Sequence, residues 1–228
     1  MNRALLDLQL LDSAIQDANR EKARLDDGTA ARATLAELET QLAQTREAAA
    51  TVAATRAKAE GNLETAETKI ERQKKRIMTV SSAGEISALE RDIEGLSRMR
   101  GELDETILIA MDEGETLATK IEKENKQVTA ARAKAEQIET EFRAQTELLD
   151  KRVASKKAAR APVIAQLSAE DKTHYAEGYK RHQGVAVAHV EGGSCSACGA
   201  EILPFTLREA KTEEFPTCEG CGRLLWVG

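Results

Sequence analysis

Apolar residues spaced alternately by three and four govern the chain up to about residue 150, and few patterns restrict a fold as tightly. A first series runs Ala4, Leu8, Leu11, Ile15, Ala18, Lys22, Leu25, then loses register at Asp26-Asp27-Gly28-Thr29, which suits a helix end and restart. A second runs from Leu35, Leu38 and Leu42 to Ile77 and Val80, and a third from Ile86, Leu89 and Ile93 to Phe142 and Leu149. Between them lies Ser81-Ser82-Ala83-Gly84-Glu85, where Ser82 with Glu85 three residues later forms a capping box and predicts a helix start. A short turn between two long amphipathic helices favours antiparallel packing. Folding about residue 82 or 83 places position i opposite roughly 165 − i. The second helix then lies against residues 85–135 and the first against about 140–160. The expected fold is mainly α: a long antiparallel coiled-coil hairpin over residues 1–161, with a break near 26–29 and a tip near 81–84, a rod rather than a globule.

Composition agrees and excludes a compact catalytic domain. Of 228 residues, 3% are aromatic and 32% charged. Before Pro162 there is no proline, cysteine, histidine, tryptophan or tyrosine, and Phe142 is the sole aromatic. A segment without these residues lacks most catalytic side chains, so the chain is expected not to be an enzyme. The seam is alanine-rich and dotted with Lys22, Arg56, Gln73, Arg100 and Glu124. Small seam residues bury little area, so stability has to accumulate over length. Gly61, Gly95, Gly101 and Gly114 make the helices locally bendable; a kink at Gly114 shaping a partner site is the sharper reading. The N-terminus has no uninterrupted apolar run and no stretch approaches the length of a membrane span, so no secretory signal or membrane association is expected. Cytoplasmic residence follows as the default.

After Pro162 the character changes. Residues 162–184 are read as a linker with a short helix, capped at Ser168-Ala169-Glu170-Asp171 and carrying Tyr175 and Tyr179. Residues 185–228 form a ribbon: Val185–Val190 has strand composition, and Ile202–Phe205 and Arg223–Val227 are expected to supply further strands. The chemistry sits in Cys195-Ser196-Ala197-Cys198-Gly199 and Cys218-Glu219-Gly220-Cys221-Gly222, a C-x2-C…C-x2-C arrangement with 19 residues between the pairs. Each two-residue gap lets a pair chelate from one tight knuckle, and the following glycine suits a turn whose N–H groups point at the sulfurs. Four thiolates would close the shell of one tetrahedral Zn2+, a structural ion stabilising a segment too small to fold on its own core. Two disulfides or a redox C-x-x-C are the alternatives, disfavoured by the absence of a signal peptide and of a βαβ context. His174, His182 and His189 are expected not to be ligands, because four cysteines suffice. Trp226 and Phe205 read most simply as the ribbon's small core, with a base-stacking platform as the alternative.

This architecture resembles the bacterial C4-type zinc-ribbon, coiled-coil-hairpin family, the CT398-like proteins. The resemblance is carried by Leu8-Gln9-Leu10-Leu11-Asp12 at the start and by Glu85, Ala88, Leu89, Asp92 and Ile93 at the tip. It continues in Gly184-Val185-Ala186-Val187, the two knuckles, and Cys221-Gly222-Arg223-Leu224-Leu225-Trp226. Where the family often has a lysine and an aromatic around the tip, this chain has Gly84 and Ile86. The resemblance implies a non-enzymatic cytoplasmic adaptor or regulator that binds protein partners. Relatives are associated with flagellar, secretion or alternative-sigma-factor systems, and RNA binding has been proposed for the family.

Charge adds a second candidate surface. The net charge of −6 does not mark a general nucleic-acid binder. Lys69, Arg72, Lys74, Lys75 and Arg76 lie near the tip, opposite Glu90, Asp92 and Glu94, so cross-helix ion pairs are expected there. Lys151, Arg152, Lys156, Lys157 and Arg160 place five cations in ten residues with no acid among them, at a helix C-terminus and beside the ribbon. That cluster is the candidate contact for RNA or DNA in the alternative reading, a nucleic-acid-binding regulator using the ribbon. No small-molecule substrate is expected.

Overall fold

A computed structural model describes residues 2–227. Three helices occupy most of the chain: α1 (Arg3–Ala23), α2 (Thr29–Ile77) and α3 (Ala83–Ala165). They are followed by α4 (Ala169–Arg181), β1 (Val187–Glu191), β2 (Ser194–Cys195), α5 (Pro204–Ala210) and β3 (Leu224–Trp226). Packing divides the chain into two compact units, one of residues 28–137 and one joining the chain up to Asp27 with everything from Ile138 onward. Among the described residues no helix is long and apolar enough to cross a membrane.

The unit of residues 28–137 is the antiparallel hairpin that the heptads predict. Gly28 sits at the α2 N-cap with φ 78°, a conformation glycine adopts without the Cβ penalty. The hairpin's buried layer is thin: Leu42, Thr45, Ala59, Ala66 and Ile70 on α2, with Leu89, Ala110, Glu124, Val128 and Ala135 on α3. Cross-helix pairs such as Arg46 Nη2 to Asn125 (2.9 Å) and Arg132 to Glu39 (2.5 Å) fall about six residues beyond the 165 − i rule. Side chains tilt toward the N-terminus of their own helix, and in an antiparallel pair that tilt carries long side chains past the residue directly opposite. At the tip the Glu85 carboxylate lies 3.5 Å from Arg76, while the Ser82 carbonyl accepts from the Ile86 N–H. Lys75 pairs along its own helix with Glu71 (3.4 Å). Among the described residues, the cross-helix pairs expected with Glu90, Asp92 and Glu94 do not form. One cause is the same tilt, and a second is that the turn leaves Glu85 nearest to the last cation of α2.

The other unit is built on the start of α1. Asn2 caps the helix by accepting from the Ala4 N–H (3.0 Å), and Ala4, Leu5, Leu6 and Leu8 are all buried. They form one core with Leu167, Tyr175, Ala186, Val187 and Leu224. A coiled-coil seam needs only Ala4 and Leu8, so the extra leucines belong to a helix embedded in a globular core. The α3 helix does not stop at Pro162 but runs one further turn to Ala165. A proline so close to the end forfeits a single backbone bond, and Val163 and Ile164 pack on the core. Ser168 and Asp171 form a reciprocal capping box at the head of α4, as the sequence predicts.

The sheet has order β2-β1-β3, antiparallel between β1 and β2 and parallel between β1 and β3, with Val187 opposite Leu224. The strand expected over Ile202–Phe205 is not formed. Ile202 is buried, but α5 begins at Pro204, whose fixed φ and missing N–H suit a first helical turn and not a sheet interior. Phe205 is consequently 56% exposed and is no part of the core. Trp226 is half-buried against the α1-centred core, with the Arg3 guanidinium 5.3 Å from its ring centre. The ribbon's own interior consists instead of Ala188, Cys195, Ile202, Cys218 and Leu225.

Candidate metal centre

The two C-x2-C knuckles fold alike. In each, the N–H of the glycine after the second cysteine bonds to the carbonyl of the first: Gly199 to Cys195 (2.8 Å) and Gly222 to Cys218 (2.7 Å). Both glycines have positive φ, 73° and 69°, which closes the loop tightly. The glycine N–H groups are therefore spent on carbonyls. The N–H groups that face sulfur belong to Ala200 toward Cys198, to Cys221 and Gly220 toward Cys218, and to Arg223 toward Cys221. Gly220 is required for a different reason. A Cβ there would lie 2.8 Å from Ala200 Cβ and 3.6 Å from Cys198 Sγ, jamming one knuckle into the other.

Strand β1 and its neighbours bring the knuckles together. Cys195 pairs opposite Val190, Cys195 N–H bonds to the Ala200 carbonyl (2.9 Å), and Cys218 N–H bonds to Arg223 (2.9 Å). The four sulfurs all lie within 4.8 Å of one another, with Cys195 to Cys221 at 4.0 Å and Cys198 to Cys218 at 3.8 Å. A tetrahedral ion with metal–sulfur bonds of about 2.3 Å has sulfur–sulfur edges of about 3.8 Å, so the donor set fits such an ion. A disulfide would need sulfurs about 2 Å apart, and the four cysteines are free thiols.

The surroundings split the thiols electrostatically. Burial pushes the Cys218 thiol up to about 12, against the opposing Cys221 and Gly220 N–H groups. Burial also acts to raise Cys221, but the Arg223 N–H and side chain, together with the Cys198 and Cys218 thiols, outweigh it and bring this thiol down to about 7. Cys198 is drawn down by the Ala200 N–H yet ends above its ordinary value because of desolvation and the thiols of Cys221 and Cys195. None of the histidines joins the cluster. His174 stacks on Phe215 at 4.1 Å, His189 lies 3.5 Å from Glu191, and His182 caps α4.

Of the five cations at 151–160, three meet carboxylates. Arg160 holds Asp12 with two bonds (2.7 and 3.2 Å), Lys151 reaches Glu147 (2.6 Å), and Arg152 lies 3.7 Å from Glu21. Asp12 is 5% exposed and also accepts from the Tyr175 hydroxyl (2.9 Å), a contact that, after desolvation, raises the Tyr175 pKa. Lys156 and Lys157 have no partner among the described residues. The 165 − i rule sets residues 5–14, with Asp7 and Asp12, opposite this cluster on the first helix. Glu147 lies one turn before Lys151 on the same helix, a spacing readable from the sequence; Glu21 needed the register.

Sequence reasoning gave Gln9 no functional or structural role, although it is 3% exposed. Its amide oxygen accepts from the Ala186 (2.7 Å) and Val187 (3.2 Å) N–H groups, and its nitrogen donates to the Gly184 carbonyl and Ser13 Oγ, both at 2.9 Å. A single side chain thus sutures α1 to the approach of β1. Its signal in the sequence is a glutamine inside the run Leu8-Gln9-Leu10-Leu11.

A family model described as the CT398-like coiled coil hairpin domain matches residues 8–182. Among solved structures, the chain is similar over 99% of its length to CT398 from Chlamydia trachomatis, covering 97% of that chain at 16% identity with TM-score 0.72. A Mycobacterium smegmatis structure is similar over the same 99%, with 97% of that chain covered, 18% identity and TM-score 0.67. For the HP0958 protein of Helicobacter pylori the values are 99%, 96%, 16% and 0.50. At these identities the likeness is one of fold. No curated protein is matched.

Proposed function

The chain belongs to the CT398-like coiled coil hairpin family, and from that premise we propose that it is a non-enzymatic cytoplasmic adaptor, binding protein partners through the hairpin surface and a structural zinc ribbon. The observation that carries the reading is the pairing of large uncovered apolar side chains in both units: Leu108 (66% exposed) beside Ile109 (53%), and Leu203 (54%) near Phe205. Scattered exposed apolar residues are ordinary, but neighbouring ones mark contact surfaces. Zinc is the ion assigned to the four thiols because the sulfur spacing suits it and an all-thiolate site selects soft or borderline metals. Four protein ligands leave no open position for a substrate, which supports a holding role for the metal and a binding role for the protein.

A photo-crosslinking residue placed at Leu203, Phe205 or Leu108 in cells tests the reading. Discrete protein adducts are expected, and those at the ribbon should be lost when the neighbouring apolar residue becomes serine. Adducts to RNA alone, or no adducts from any position, would refute it. A second reading, a regulator that binds RNA or DNA, draws support from unpartnered Lys156 and Lys157. The carboxylates on Lys151, Arg152 and Arg160 weigh against it. Binding that falls steeply with salt and disappears in K156E/K157E would carry that reading instead.

A further inference from the structure

The middle of the hairpin differs from the rest in charge and in packing. Residues 101–119 of α3 contain six carboxylates, at 102, 104, 105, 112, 113 and 115, and no lysine or arginine. None of the six carboxylates has an ion-pair partner among the described residues. The α2 residues that face 110–117 read Ala48-Ala49-Ala50-Thr51-Val52-Ala53-Ala54-Thr55, with no cation. Of the cations that follow, Arg56 is engaged along its own helix by Glu60 (2.8 Å), and Lys58 forms no ion pair with any of the six carboxylates among the described residues.

Small α2 side chains opposite large α3 ones leave a groove between the helices. Thr51, Val52 and Thr55 form one wall, with Thr106, Ile109 and Glu113 on the other. Ile109 is half-exposed on that wall and Val52 only half-buried beneath it. At 100° per residue, Glu102, Glu105, Asp112 and Glu113 fall on the same side of α3 as Ile109. A two-helix hairpin has nothing else to cover this strip. An apolar residue flanked by four unneutralised carboxylates along about three turns is the complement of one recognition mode: an amphipathic helix presenting apolar anchors and a basic flank.

We propose that this groove is a docking site for a basic amphipathic helix of a protein partner. The proposal rests on the adaptor reading and adds the chemistry of the partner. The charge also selects against other occupants. A second copy of the chain would bring like charge to like, and a nucleic acid would be repelled.

The test titrates the full chain, by fluorescence anisotropy, with a labelled synthetic helix of about 18 residues bearing leucines at i, i+3, i+4 and i+7 and lysine or arginine elsewhere. One control peptide has the same composition with the leucines dispersed, and another carries glutamate in place of the cations. The amphipathic basic peptide is expected to bind at least about tenfold more tightly than either control at low salt, with the advantage shrinking as salt is added. E105K/D112K and, separately, I109S should each weaken it about tenfold. E177K/E214K, which makes the same charge change at exposed acids outside the hairpin, should leave it within about twofold. Should E105K/D112K lose helicity, the neutral E105Q/D112N is measured in its place.

Equal binding of the dispersed peptide, equal weakening by E177K/E214K, or absence of binding would overturn the proposal. So would sedimentation showing a dimer that I109S dissociates, since the occupant would then be a second copy. Protein adducts from the ribbon positions together with a failed titration would overturn this inference and leave the adaptor reading standing. Absence of adducts at every position would remove both.

Discussion

Replacing Gln9 with leucine should unfasten α1 from β1 at a cost far above that of an ordinary helix substitution. Leucine is close in volume and is tolerated in a helix, so propensity contributes almost nothing. What is lost is the partner of three buried backbone groups. The Ala186 and Val187 N–H groups keep no acceptor, and the Gly184 carbonyl keeps only Gln16 Nε2 at 3.5 Å. A buried donor left unsatisfied costs about 1–3 kcal/mol, so two cost about 2–6 kcal/mol, offset by about 1 kcal/mol from the added apolar burial. A net loss of about 3 kcal/mol is expected, and with an m-value of about 2 kcal/mol/M the urea midpoint should fall by about 1.5 M. The chain's single tryptophan, Trp226, packs against the same core and gives the fluorescence signal. Ser13→Ala is the control, because it removes only one bond to the same amide at a half-exposed hydroxyl. If Q9L lies within about 0.5 kcal/mol of wild type, or no lower than S13A, the argument from orphaned backbone groups is wrong.

Metal analysis of the freshly purified protein should give close to one zinc per chain. Stripping it with a chelator should shift Trp226 emission while leaving most of the helical circular dichroism, and Cys198→Ser should do the same. Glu124 is 9% exposed in the hairpin seam, with Lys120 3.8 Å from one carboxylate oxygen and no partner for the other. Glu124→Leu should therefore raise stability, by about 1–2 kcal/mol in thermal or urea unfolding. Burial, then Asp12, raises the Tyr175 pKa from an ordinary 10.0. The folded state thus keeps its proton where the unfolded state loses it, and stability should fall above about pH 10 by about 1.4 kcal/mol per pH unit. Titrating Tyr175→Phe alongside wild type checks this, because the variant should lack that part of the slope.

The hairpin and the four-cysteine cluster were legible because each obeys a local rule. Leu42, Ile70, Leu89 and Val128 repeat at coiled-coil spacing, and the C-x2-C pairs declare themselves wherever they lie. The α4 cap at Ser168 was legible for the same reason. What escaped is non-local. Pro204 was read within a strand because Ile202, Leu203 and Phe205 are apolar, whereas only Ile202 turns inward. The helix register brings Asp12 near the cluster, but only the fold shows it buried and held by both Arg160 and Tyr175, which withdraws Arg160 from a free cationic surface. Gln9 was a polar residue in an apolar run, and only the returning chain at β1 gives it three of its four bonding partners, Gly184, Ala186 and Val187. The acidic groove depends on which residues α2 sets opposite α3, information held in neither helix alone.

Strand β1 makes the metal cluster and the start of α1 mechanically dependent on each other. Its first residues face the α1-centred core, with Val187 buried there and Ala186 just ahead of it bonded to Gln9. Its next residue, Ala188, packs among Cys195, Cys218 and Leu225. A strand of five residues alternating between two cores cannot move on one face without moving on the other. Leu224 N–H bonds to the Ala186 carbonyl (3.0 Å), and Arg223 reaches the Val185 carbonyl (2.9 Å) while its N–H faces Cys221. Losing a bound ion would release the second knuckle from the first. The strain would then pass through Arg223 and Leu224 to β1, and from β1 to Gln9 and the first turns of α1. An ion held there would accordingly stabilise more than its own loop, and Q9L should lower zinc retention in a chelator competition even though Gln9 touches no cysteine. Unchanged retention in Q9L, at a concentration of urea where the protein remains folded, would show that the two cores are independent.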